Sequence, residues 1–244
     1  IHLPPFMFLK ISLFLTAQSI VHLSMKRFEV VLKMKEIGAI PLFYNADIEV
    51  CKEVITACYK GGMTIFEFTN RGDFAHELFA ELVKWGEKTL PNLVLGVGTV
   101  VDAATCSLYI QLGAKFIVSP LLNEDMARAC NRRKVLWVPG CATASEIGKA
   151  EELGAEVVKL FPGPTVGGAK FLKAYMGPCS WSNIMPSGGV SPTEENLKEW
   201  FGAGAFCVGM GSQMITKEII ATKDYKQLES LARSAMEIIQ GLKR

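Results

Sequence analysis

The sequence predicts an α/β fold, a single (β/α)8 TIM barrel entered through a leading helix, on three observations. Short apolar runs alternate with amphipathic stretches from Met25 onward, giving eight strand–helix units with no linker between them. The runs are apolar nearly throughout, as strands covered on both faces are. Alternating strands and helices imply a parallel sheet with right-handed crossovers, and 244 residues suit one closed barrel. An open doubly wound sheet is the alternative. It lacks its glycine-rich first turn here, because Phe43-Tyr44-Asn45-Ala46 contains no Gly.

The elements follow in order. Residues 28–35 read as the leading helix, with Phe28, Val31, Leu32 and Met34 as its apolar positions. The first strand is 39–44. Asp47 is a plausible N-cap for the next helix, and Gly61-Gly62 its stop. Strand 63–69 precedes helix 74–85, strand 93–98 precedes helix 102–112, and strand 115–119 precedes helix 123–132. Strand 135–138 leads into helix 143–153, where Thr143-Ala144-Ser145-Glu146 has the form of a capping box. Strand 157–161, helix 169–175, strand 184–186, helix 193–201, strand 206–208 and a closing helix 224–242 complete the chain.

Composition excludes several classes. With 50% hydrophobic and 20% charged residues the chain buries a sizeable core and is not disordered. A net charge of +2 gives no electrostatic reason for a nucleic-acid partner. Seven scattered cysteines without a CxxC pair read as reduced thiols in the cytoplasm, and three histidines with no cysteine pair beside them make no zinc site. Residues 1–24 carry no acidic side chain and are read as an upstream extension outside the fold, with 25–244 as the barrel domain. A signal peptide is the alternative, since Ala17-Gln18-Ser19 could be cleaved. Lys10 interrupts its apolar run and no basic segment precedes that run. The run is too short to span a bilayer, so no membrane partner is expected.

Barrels carry their active groups at the carboxyl ends of the strands. Lys159 interrupts the sixth strand, and a lysine there must snorkel, pair, or serve as an amine nucleophile. On the second strand the period of two puts Glu67 and Thr69 on one side, with Phe66 and Phe68 toward the helices. Glu67 and Lys159 could form a structural ion pair or a catalytic one. Gly96, Gly98, Gly140, Gly167 and Gly168 are expected to leave room for a ligand above the lysine. Ser187-Gly188-Gly189 after strand seven and Gly209-Met210-Gly211-Ser212 after strand eight occupy the two loops that commonly bind phosphate in barrels.

Six blocks in this order and spacing, namely residues 66–71, 96–100, 118–120, 139–140, 158–162 and 187–190, resemble 2-keto-3-deoxy-6-phosphogluconate (KDPG) and 4-hydroxy-2-oxoglutarate (KHG) aldolases. The resemblance implies a class I aldolase without metal or cofactor, acting on a phosphorylated keto acid and assembling as a homotrimer. It implies that Lys159 forms the Schiff base and Glu67 moves protons. Arg71 and Thr99 would hold the substrate carboxylate, with Pro120 lining that pocket. Ser187, Gly188, Gly189, Gly209, Gly211 and Ser212 would hold the phosphate end. Burial among Val157, Leu160 and Phe161 favours the neutral amine that such chemistry needs. Two positions depart from the family pattern: Tyr44 stands where many relatives have arginine, and Ser187 where threonine is usual. Residues 139–143 also match galactonate-type relatives, so the sugar epimer stays open. An isomerase using Glu67 as base, or a non-catalytic phosphometabolite-binding barrel, would be the other readings of these residues.

Overall fold

The computed structural model describes residues 25–243, so the expectation for residues 1–24 lies outside the described residues. Among the described residues, helix α1 (Arg27–Ile37) leads into nine strand segments, separated by helices except between β5 and β6, and all paired in parallel. The strands are β1 (Ala39–Phe43), β2 (Ile65–Thr69), β3 (Val94–Gly98), β4 (Phe116–Val118), β5 (Leu136–Val138), β6 (Gly140–Cys141), β7 (Val158–Leu160), β8 (Ile184–Pro186) and β9 (Val208–Met210). They form a six-stranded sheet, β5-β4-β3-β2-β1-β9, and a three-stranded one, β6-β7-β8. The result is a curled parallel sheet wrapped by helices. Among the described residues no helix is long and apolar enough to cross a membrane.

The expected fifth strand, 135–138, is β5, and the sheet adds a short strand that the expectation lacked, β6, beyond Pro139, which has no N–H to donate to a ladder. The last strand also runs later than expected, at 208–210 rather than 206–208, because β1 pairs Ala39 with Val208 and Pro41 with Met210. Gly209 therefore sits within a strand and not in the loop beyond it. A six-residue helix, α9 (Lys217–Thr222), capped by Thr216, lies between β9 and the closing helix α10 (Tyr225–Leu242) and carries no clear apolar period.

Alternation along the strands sorts the core into two parts. Phe66, Phe68, Leu95, Val97, Ile117, Trp137, Val158, Leu160, Ile184 and Val208 pack outward beneath the helices. Ile40, Ile65, Val94, Phe116, Val118, Leu136, Val138, Val157, Met185 and Cys207 pack inward with Val30, Met34 and Ile37 of α1. Helix α1 thus plugs the amino-terminal end of the sheet. Its buried face is 30, 34 and 37; of the apolar positions named from sequence, Met34 lies on that face and Val31 packs beside it, whereas Phe28 and Leu32 stand 59% and 61% exposed. Arg27 ties it down through Glu156 at 2.6 Å, and Gln240 donates to the Glu36 carbonyl at 2.9 Å.

The caps match the sequence closely. Asp47 accepts from the Glu49 N–H at the start of α2 (Ile48–Lys60), which stops at Gly61. Thr143 and Glu146 form the reciprocal capping box of α6 (Ala144–Glu152).

Candidate active site

At the carboxyl end of the sheet the inward positions change character. Where the lower layers carry Ile, Val and Phe, the upper ones carry Glu67 and Thr69 on β2, Gly96 and Gly98 on β3, Gly140 on β6 and Lys159 on β7. Above them opens a cavity of about 620 Å³. Lys159 lines its floor at 6% exposure, between Val158 and Leu160, whose side chains face the helices.

Lys159 Nζ lies 4.0 Å from Glu67 Oε1 and 5.0 Å over the centroid of the Phe161 ring. Glu67 is 1% exposed and sits just beneath the cavity rather than in its wall. Its Oε2 is buried without a hydrogen-bond partner. Burial pushes the Glu67 carboxyl up from the ordinary carboxylate range, and the charges of Lys159 and Arg71 oppose that shift. A carboxyl poised in this way can exchange protons with a neighbouring amine or bound water.

The glycines work differently from the expectation. A side chain on Gly98 would overlap the Glu67 carboxylate, one on Gly96 the Phe116 ring, and one on Gly140 the Pro120 carbonyl. The space they leave is occupied by protein groups, and none of the three lines the cavity. Gly167 and Gly168 border a separate groove with Lys170 and Trp200. Glycine at 98 is what lets the buried carboxylate reach the lysine.

Arg71, Thr99, Pro120, Lys159, Ser187, Gly188, Gly189, Gly211 and Ser212 all line the one cavity, so of the residues expected at the site only Glu67 and Gly209 do not. Gly209 bridges Ser187 in the sheet, and a side chain there would press on Ser187 Oγ; it seats the serine from below. Gly188 and Gly189 adopt φ of +82° and +70°, a turn that glycine takes without strain. Among the described residues the N–H groups of Gly188, Gly189, Ser212 and Gln213 have no backbone or side-chain acceptor. Such a cluster of unused donors on two adjacent loops suits an anion.

Tyr44 and Phe161, both named from the sequence as neighbours of the site, line the cavity as well. Sequence reasoning missed Gln213 and Lys217, which also line it and carry no motif. Thr99 holds φ +60°, a strained conformation for a β-branched residue that no sequence pattern signals.

Residues 30–231 match the model of a family described as Aldolase: KDPG and KHG aldolase. The chain belongs to this family. Its relatives are aldolases and hence lyases, and this chain is a lyase with them. A 2-dehydro-3-deoxy-phosphogluconate aldolase of Pseudomonas aeruginosa is 36% identical over 79% of this chain and 84% of its own. The KHG/KDPG aldolase of Escherichia coli K12 is 29% identical over 81% of this chain and 90% of its own. Among solved structures, the 2-keto-3-deoxy-6-phosphogluconate aldolase of Zymomonas mobilis ZM4 with 3-phosphoglycerate superposes with a TM-score of 0.73 at 27% identity. That likeness covers 85% of this chain and 94% of the other.

Proposed function

We propose that this aldolase cleaves 2-keto-3-deoxy-6-phosphogluconate to pyruvate and glyceraldehyde 3-phosphate, or 4-hydroxy-2-oxoglutarate to pyruvate and glyoxylate, through a Schiff base on Lys159. The galactonate epimer is the alternative phosphorylated substrate. The observation that carries this reading is the buried amine of Lys159, 4.0 Å from a buried carboxyl at the floor of the cavity.

Lys159 Nζ attacks the C2 keto carbon, and the carbonyl oxygen takes up a proton to give a carbinolamine. Glu67 then donates a proton to the departing hydroxyl, and water leaves as the imine forms. The 4-hydroxyl gives up its proton to the carboxylate as the C3–C4 bond breaks, and the bonding electrons pass into the imine to form an enamine. The aldehyde departs. Protonation at C3 and hydrolysis of the imine release pyruvate and restore the lysine. The protonated imine is the electron sink, so the scheme calls for no metal or other cofactor.

Arg71 and Thr99 hold the C1 carboxylate, with Pro120 against the same end. Ser187, Gly188, Gly189, Gly211 and Ser212 take the phosphate through their hydroxyls and unused N–H groups, which is the role those orphan donors support.

The finer architecture belongs to the same reading: residues 25–244 form one domain, and its strands close as the eight-fold barrel. Support comes from the continuity of β5 into β6 across Pro139, from the Lys159 N–H bonded to the Pro139 carbonyl at 2.8 Å, and from the Ser187–Gly209 bridge joining the two sheets. Assembly as a homotrimer is supported by Phe74, Val101 and Leu121, large exposed apolar residues on the loops after the neighbouring strands β2, β3 and β4. A cytoplasmic location accords with seven free thiols.

Pyruvate release from the gluconate and galactonate epimers and from 4-hydroxy-2-oxoglutarate, measured side by side, tests the substrate. Release from at least one, lost in Lys159→Met, is expected. Undiminished turnover by Lys159→Met would contradict the scheme.

A further inference from the structure

The charged groups in the cavity wall are Arg71, Lys159 and Lys217, and no carboxylate joins them there. Lys159 already has Glu67 as its counter-charge. Among the described residues Arg71 and Lys217 enter no ion pair. The site therefore presents two uncompensated cations, and they stand apart: Arg71 follows β2, Lys217 follows β9, and β1 lies between those strands. Strands one removed from each other are ~10 Å apart where they leave a sheet. A ligand that satisfies both must carry two separated anionic groups.

The loop between β9 and α9 holds Gly211, Ser212, Gln213 and Ile215, and Lys217 is the first residue of α9, all of them lining the same cavity. Its partner loop after β8 supplies Ser187, Gly188 and Gly189. Every donor in this double cradle except Lys217 is a neutral amide or hydroxyl. Neutral donors orient a phosphate, but they do not balance its net charge, and Arg71 belongs to the other end.

We infer that Lys217, which lines the same cavity as Gln213, is a specificity-determining residue that selects phosphorylated over unphosphorylated keto acids; this rests on the aldolase reading above. Lys217 acts on binding and takes no part in bond breaking. Its exposure makes the interaction modest and sensitive to salt.

The test compares wild type, Lys217→Gln and Lys217→Arg on 2-keto-3-deoxy-6-phosphogluconate and on its dephosphorylated counterpart, with borohydride trapping of pyruvate on Lys159 run on each protein. In Lys217→Gln the KM for the phosphorylated substrate rises about three- to fivefold, as loss of one exposed charge contact implies. The preference for the phosphorylated substrate falls by the same factor, the change appears in KM rather than kcat, and the dependence of KM on salt flattens. Lys217→Arg restores the preference. If Lys217→Gln traps pyruvate but keeps the wild-type preference, or loses activity equally on both substrates, the assignment of Lys217 is overturned while the aldolase reading stands. If wild type itself traps no pyruvate, the aldolase reading fails and the Lys217 assignment fails with it.

Discussion

The two ends of the same strands differ in what they are built to do. At the amino-terminal end, Ile40, Ile65, Val94 and Phe116 meet Val30, Met34 and Ile37 of α1 in a closed apolar plug. One or two pleats further along, the inward positions carry Glu67, Thr69, Lys159 and glycines under an open cavity. The lesson is a division of labour along the strand axis. The plugged end supplies burial energy, and that surplus lets the other end keep a carboxyl with an unpartnered oxygen beside a buried amine. Damage at one end should therefore read out as lost turnover with a standing fold, and damage at the other as lost stability with a standing site.

The sharpest separation comes from Glu67→Gln. Removing the proton carrier should lower kcat by about 10²–10⁴-fold, the usual contribution of general acid–base catalysis, while pyruvate can still be trapped on Lys159. Wild-type kcat in this variant would take Glu67 out of the chemistry and leave the pair as a structural one.

Gly98→Ala comes next. The added methyl overlaps the Glu67 carboxylate, so the carboxylate must move away from Lys159. Misplacement by about 1 Å costs on the order of 10²-fold in turnover, with a stability loss of about 1–3 kcal/mol from overpacking. Thermal unfolding measured beside steady-state rates distinguishes this from a folding defect. Met34→Ala reverses the pattern: emptying a fully buried site in the plug should cost about 2–5 kcal/mol of stability, with kcat retained at temperatures below the lowered Tm. A large loss of kcat in the folded variant would show that the two ends are not independent.

The smallest effect is in pH. Burial raises the Glu67 carboxyl above its unfolded value, so between those two values the folded chain holds a proton that the unfolded chain has released. This group's contribution to stability therefore declines as pH rises through that window and is flat above it. Measured as Tm against pH, wild type should lose ground to Glu67→Gln as pH climbs from the ordinary carboxylate range. Parallel curves for the two proteins would contradict the raised value.

Much of this division was legible in the sequence. The period of two placed Glu67 opposite to Phe66 and Phe68, and the lone lysine in an apolar strand marked the floor of the site. The Asp47 and Thr143 caps were readable because a side-chain oxygen at one end of a helix acts locally. What escaped depends on contacts between distant segments. The short strand β6 paired to β7, the later course of β9 and the outward turn of Phe28 and Leu32 on α1 are each set by a pairing or packing partner elsewhere in the chain. Gly96, Gly98 and Gly140 were read as space for ligand, but which atom fills the space beside a glycine is a three-dimensional fact. Gln213 and Lys217 reach the cavity only because α9 begins where it does.

The account turns on whether the buried amine is a nucleophile. Incubating the protein with pyruvate, reducing with borohydride and mapping the modified peptide by mass spectrometry asks this directly. A single reduced pyruvyl adduct on Lys159, abolished in Lys159→Met, is the predicted result. Active protein with no adduct, or with the adduct on another lysine, would contradict it.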